Sequence, residues 1–184
     1  VIDCGAGTGR FAIAAARVPG VASVIAVEID PIASLILRAR AAVLGIKTIQ
    51  VLNRDFLTLA LPPAKARRAF VGNPPYVRKE DIKDPLEKID GQDYKDALAE
   101  MVLCDFPREF RKEKLNAQSD LYTYFYIRSL RLLNEKGVHV FICSNSWLDA
   151  GYGVWLQKFL LNYAPAHFIF DNHSKRSFAA ADVN

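Results

Sequence analysis

Four consecutive residues, Asn73-Pro74-Pro75-Tyr76, follow the short apolar run Arg68–Gly72 and combine a carboxamide, two φ-fixing rings and an aromatic face. That set suits one chemical problem. The exocyclic nitrogen of an aromatic amine such as adenine delocalises its lone pair into the ring and is a poor nucleophile. If the Asn73 side-chain oxygen and the Pro74 carbonyl each accept one of its N–H bonds, the nitrogen can pyramidalise and turn its lone pair toward a donor methyl group. This is electrostatic positioning rather than deprotonation. Pro74 and Pro75 preorganise the two acceptors, and Tyr76 offers a stacking face worth ~1–3 kcal/mol to a base. The bland alternative, a proline turn with a surface tyrosine, does not account for a motif at the end of an apolar strand, three strands after a glycine loop.

That loop is Asp3-Cys4-Gly5-Ala6-Gly7-Thr8-Gly9. Glycines at a strand-to-helix turn permit positive φ and let a ligand reach the backbone. Such a turn alone is shared with nicotinamide and flavin sites, and a tight turn without function reads the same way. The spacing here is G-x-G-x-G behind an acid, not the G-x-G-x-x-G of dinucleotide folds, and Asp3 suits an ammonium group better than a phosphate. Glu28 ends the next strand about twenty residues on, where an acid can bind both hydroxyls of a ribose. Asp30 is the alternative, although Pro31 makes it a helix-start residue. Asp55 ends the third strand and can face an adenine's amine while Phe56 covers the ring; a turn or cap aspartate is the competing reading.

These residues need elements to hold them at one edge. Ser23–Asp30 reads as a buried strand, Ile32–Leu44 as a helix closed by Gly45, Lys47–Phe56 as a strand and Arg68–Gly72 as a short strand. A helix-periodic stretch spans Phe11–Arg17. From Val77 to about Gln118 the pattern breaks into a charged, partly helical insertion, with a weakly amphipathic segment at Tyr94–Cys104. Regularity returns with an aromatic-rich helix at Asp120–Leu133, a strand at Gly137–Ser144, a helix at Val154–Asn162 and a last strand at Ala166–Asn172. Continuous apolar strands alternating with helices predict an α/β, doubly wound, mostly parallel sheet with helices on both faces, with ligands at the strands' carboxyl ends.

With 184 residues, 51% of them apolar, the chain reads as one globular domain. It opens inside a strand and stops in mid-motif, as an excised piece would. No apolar run approaches the ~20 residues of a membrane span, so no membrane partner is expected and the cytoplasm is the expected compartment. Cys4, Cys104 and Cys143 form neither a disulfide framework nor a metal pattern, and His139, His167 and His173 share no ligand spacing, so no metal is expected. The net charge of +4 is mild. Its clusters, at Lys65-Arg67-Arg68, Arg78-Lys79, Arg108-Arg111-Lys112-Lys114 and Arg128-Arg131, suit a phosphate backbone or a merely solvated face.

Taken together, these motifs resemble the catalytic domain of S-adenosylmethionine-dependent DNA adenine-N6 methyltransferases of the NPPY type, in particular the large restriction–modification (type IIG, Eco57I-like) enzymes. The resemblance covers nearly the whole chain. It implies a Rossmann-like methyltransferase fold of sheet order 3-2-1-4-5-(7)-6 without its seventh strand. By the same resemblance, Asp3, Gly5, Ala6, Gly7, Gly9, Glu28, Ile29, Asp55, Phe56, Asn73, Asp120 and Tyr122 bind S-adenosyl-L-methionine. Asn73, Pro74, Pro75 and Tyr76 form the catalytic loop, and Phe178 packs edge-on against the flipped base. The implied partner is double-stranded DNA with its target adenine flipped out; the target-recognition region lies outside this piece, and whether a nuclease is fused or associated is left open. Rival readings are a protein-glutamine methyltransferase, an RNA adenine methyltransferase and a non-catalytic module of the same fold. A nicotinamide oxidoreductase fits neither the glycine spacing nor the prolines.

Overall fold

A computed structural model describes residues 1–61, 66–85, 87–104, 106, 115, 119–149, 151 and 153–171. The chain divides into two compact units, Val1–Pro75 with Tyr124–Ile142, and Tyr76–Thr123 with Cys143–Asn184. The first unit holds a parallel sheet of five strands, β1 (Ile2–Cys4), β2 (Val24–Glu28), β3 (Ile49–Asn53), β4 (Ala69–Gly72) and β5 (Val138–Phe141), in the order β3-β2-β1-β4-β5. Register is set by Asp3 opposite Ala26 and Val71, and by Gly72 opposite Phe141. This is the expected α/β fold and the expected strand order. The chain steps outward from β1 to β3 and then returns to place β4 on the other side of β1. Such a reversal opens a crevice at the carboxyl ends of β1 and β4.

The central strands are branched and apolar because both faces are covered: Ile2, Val24, Ala26, Val27 and Phe70 are buried. Helix α1 (Arg10–Ala16) and helix α2 (Pro31–Val43) follow the first two strands. Asp30 caps α2, its Oδ1 accepting from the backbone N–H of Ile32 at 2.7 Å and of Ala33 at 3.2 Å, with Pro31 as first helical residue. Ala12, Val24, Ala26 and Leu37 form the core between these elements. Gly9 makes that packing possible: at φ +87°, a methyl on its Cα would lie 2.1 Å from Leu37 Cδ1.

The helix leading into β5, α4 (Leu121–Leu132), begins in the second unit and continues into the first. Beyond its end Asn134 ties the chain to the approach to β4, its Oδ1 accepting from Arg68 N and its Nδ2 donating to Ala66 O, both at 2.9 Å. Ser129 on α4 meets His139 Nε2 at 2.7 Å, and burial pushes that imidazole down to about 4, so it stays neutral at physiological pH. His139 is structural, as its place in a strand suggests.

The second unit contains a turn of 3-10 helix (Lys79–Asp81), helix α3 (Gly91–Leu103), the short α5 (Ser146–Asp149) and α6 (Gly153–Tyr163). Asp90 caps α3 through the N–H groups of Gln92 and Asp93, which starts the helix three residues before the expected segment. On α6 the rings of Trp155, Phe159 and Tyr163 stack one turn apart, and Phe106 packs edge-on against the last two.

The expected last strand at Ala166–Asn172 does not form over its described residues, 166–171. Its Phe168 and Phe170 are 80% and 93% exposed. An apolar run reports a capacity for burial, but a strand also needs a neighbour to complete its hydrogen-bond ladder. Among the described residues β5 is an edge of the sheet.

Candidate functional site

The loop after β1 folds back over β2. The N–H groups of Gly5 and Ala6 both donate to Val27 O, at 3.0 and 2.9 Å, and Gly9 N closes the turn onto Ala6 O at 2.8 Å. Gly5, Gly7 and Gly9 all hold positive φ, at 75°, 53° and 87°. A side chain at Gly7 would meet nothing within 4 Å, so that backbone is open to a ligand. From α2, Arg40 donates to the carbonyl of Thr8 and fixes the loop's far end.

Glu28 lies beside this opening. Its Oε2 accepts from Gly7 N at 2.7 Å and its Oε1 from Asp30 N at 2.9 Å. Asn53 on β3, two residues before Asp55, donates through Nδ2 to both Glu28 O and Ile29 O at 2.9 Å and so steadies the acid's backbone. Ile29 itself is half exposed.

Asp3 lies deeper than a ligand contact. It is fully buried, and its Oδ2 accepts from Ala12 N at 2.8 Å, which ties β1 to α1 beneath the loop. Its Oδ1 is buried without a hydrogen-bond partner. Desolvation pushes this carboxyl up to about 7, the Ala12 N–H opposes the rise, and the charge of Glu28 adds a smaller push upward. Asp3 supports the loop from below and presents no open carboxylate to an ammonium group.

The loop after β3 is shaped by Asp55, whose Oδ1 accepts from Leu57 N at 2.9 Å as a turn aspartate would. Burial raises its pKa, while the Leu57 N–H and the charge of Arg128 hold it down. Phe56, expected to cover a purine, is instead 2% exposed: it stacks on Phe125 at 5.4 Å and meets Phe70 edge-on at 6.2 Å. The residues missed here are on α4. Phe125 and Arg128 are three apart and share one helix face, a spacing legible in the sequence; Arg128 Nη2 donates to Leu59 O at 2.6 Å, across the same loop.

β4 delivers Asn73, Pro74 and Pro75 to the glycine loop. A methyl at Gly5 would lie 3.6 Å from Pro75 Cδ, 3.8 Å from the Phe125 ring and 4.0 Å from Pro74 Cα. The two motifs, some seventy residues apart in sequence, therefore lie side by side, with room for little more than a methyl group between Gly5 and Pro75. Asn73 is half-buried, and its Oδ1 is buried with no hydrogen-bond partner. Such an atom costs about 1–3 kcal/mol where it sits.

In the second unit Tyr76 is half-buried. Its hydroxyl is pushed up to about 12, chiefly by burial and secondly by Cys143. Asp120 Oδ1 accepts from Lys79 N at 3.1 Å and Leu121 N donates to Val77 O at 3.0 Å, so the start of α4 holds the chain that leaves the Asn-Pro-Pro-Tyr motif. Tyr122 is 1% exposed and packs into the interior, so it lines no opening. Phe178 lies outside the described residues. Among the described residues no group of His, Cys, Asp and Glu could hold a metal ion, and no helix is long and apolar enough to cross a membrane.

Residues 1–91 match a general methyltransferase domain. The chain is 35% identical over 163 residues to the type II methyltransferase M.XamI of Xanthomonas campestris pv. amaranthicola, covering 88% of this chain and 28% of that protein. It is 34% identical over 132 residues to M.BstVI of Geobacillus stearothermophilus, covering 70% of this chain and 20% of that one. The chain thus spans about a quarter of the length of these relatives. Among solved structures, a restriction-enzyme modification subunit from Vibrio vulnificus YJ016 superposes with a TM-score of 0.56 at 16% identity, over 87% of this chain and 33% of that one, a likeness of fold. Residues 68–178, more than half the chain and inclusive of the Asn-Pro-Pro-Tyr loop, match the Eco57I restriction-modification methylase family, and the chain belongs to that family.

Proposed function

We propose that the protein carrying this chain transfers a methyl group from S-adenosyl-L-methionine to the exocyclic N6 of adenine in double-stranded DNA, within a restriction–modification system. The observation that carries this reading is the Asn73 oxygen: a buried acceptor without a partner, on a proline-stiffened loop packed against an open glycine turn. An amine N–H would supply the missing donor. Because the oxygen is covered, admitting the amine requires the carboxamide to turn, while Pro74 and Pro75 keep the backbone still.

The residues present fit the cofactor. Gly7 leaves its backbone open, and the Glu28 carboxylate beside it, with about four lone-pair sites of which two are engaged, retains acceptors for ribose hydroxyls. The loop from Asp55 would close the purine side. When bound, the cofactor supplies an electrophilic methyl on a sulfonium centre. The chain's own part is to hold and desolvate the amine: Asn73 Oδ1 and the Pro74 carbonyl accept hydrogen bonds from its two N–H groups, one of whose protons is released to solvent once the nitrogen is methylated, and Tyr76 stacks on the base, which must leave the helix to arrive. By the family resemblance Phe178 is assigned to pack edge-on against the flipped base. Asp120, whose Oδ1 accepts from Lys79 N, is assigned to hold the chain that leaves the motif.

Asn73→Ala in the full-length protein is expected to lower turnover roughly 10²–10³-fold with cofactor affinity near wild type, measured by radiolabelled methyl transfer and calorimetry. Wild-type turnover in that variant would overturn the assignment. Methyl found in RNA or on protein glutamine, and not as N6-methyladenine in duplex DNA, would overturn the substrate.

A further inference from the structure

We infer that Arg128 is a positioning residue for cofactor binding: from α4 it fastens the Asp55–Leu59 loop against the sheet and so fixes the purine side of the pocket. The inference rests on the proposed function, since it takes that loop as the cofactor's purine side.

A guanidinium is almost never fully buried without a specific partner, and Arg128 is 6% exposed. Its Nη2 donates to the carbonyl of Leu59 at 2.6 Å, a charge-assisted bond to a loop backbone 69 positions away in sequence. The loop has a second hold on the same helix face, the Phe56–Phe125 stack one turn earlier. Its start is pinned by the Asp55 Oδ1 to Leu57 N turn, and the Arg128 charge favours the ionised Asp55 carboxylate. A planar guanidinium aims its N–H along a fixed direction, which a flexible ammonium does not. The bond to Leu59 thus orients the loop's backbone, and the Arg128 charge biases Asp55 toward its ionised form.

The test is kinetic. In the full-length protein Arg128→Met is expected to raise KM for S-adenosyl-L-methionine roughly 10- to 100-fold, with KM for DNA and kcat at saturating cofactor near wild type. Arg128→Lys, which keeps the charge but not the fixed direction, is expected to fall between the two. A merely structural role predicts the opposite split: a smaller active fraction, seen as lower kcat with unchanged KM, and that result in either variant would overturn the inference. If Arg128→Met does not fold, the Lys variant carries the same comparison alone. Unchanged cofactor KM in a folded variant sinks the Arg128 assignment only, whereas a wild-type protein that binds no S-adenosyl-L-methionine sinks the proposed function with it.

Discussion

Asn73 and Tyr76 would ask different things of a purine, one hydrogen-bond directed and one indifferent to direction. Burial holds the Tyr76 hydroxyl near 12, so at neutral pH it stays protonated and cannot serve as a base; what remains is the ring. Tyr76→Phe is therefore expected to keep most activity. Tyr76→Ala should lose the stacking energy of ~1–3 kcal/mol, roughly a 10- to 100-fold drop in kcat/KM for DNA. Equal losses in both variants, measured by single-turnover methylation, would mean that the hydroxyl matters. At this scale the sequence discloses residue types more readily than the direction in which they point. Asp3 and Phe56 are legible as an acid and a ring beside the loops, yet both are buried beneath them. Alternation along a strand and periodicity on a helix report faces, and neither reports depth.

At the scale of elements, Gly9 carries the most specific demand. Its φ of +87° disfavours any residue with a Cβ, and the added methyl would lie 2.1 Å from Leu37 Cδ1 in a fully buried contact. Gly9→Ala combines backbone strain of order 1–3 kcal/mol with overpacking of similar size. The two parts separate in a double-mutant cycle with Leu37→Ala, which removes the clash and leaves the strain. Urea unfolding should then show Gly9→Ala costing less in the Leu37→Ala background; strict additivity would deny the contact. Legibility of the elements follows the same division between local and distant causes. Pro31 after Asp30, Gly45 after Leu44 and the branched runs of β2 and β3 encode their ends and interiors locally, and those elements form where expected. Ala166–Asn172 has the composition of a strand but depends on a neighbour, and composition cannot supply one.

For the whole molecule, the sheet's switch point decides which distant segments meet, because the return from β3 to β4 sets the Asn73 loop against the Gly5 turn. That meeting was legible only through the motifs themselves; nothing in residues 1–75 taken locally says which strands adjoin. The same architecture buries Asp3 under the meeting point, and this has a global consequence. A carboxyl whose folded pKa stands near 7, against 3.8 for an unperturbed aspartate, binds its proton more tightly when folded. Its contribution to stability is therefore full below about pH 4 and is lost as pH rises to about 7. At ~1.4 kcal/mol per pKa unit the loss is at most about 4 kcal/mol. Asp3→Asn can still accept from Ala12 N but has no proton to release. Urea unfolding at pH 4, 5.5 and 7 should thus find the wild type losing stability relative to Asp3→Asn across the window, with the variant at least as stable at pH 7. Parallel curves would mean that the carboxylate is ionised throughout, held by a donor that satisfies Oδ1.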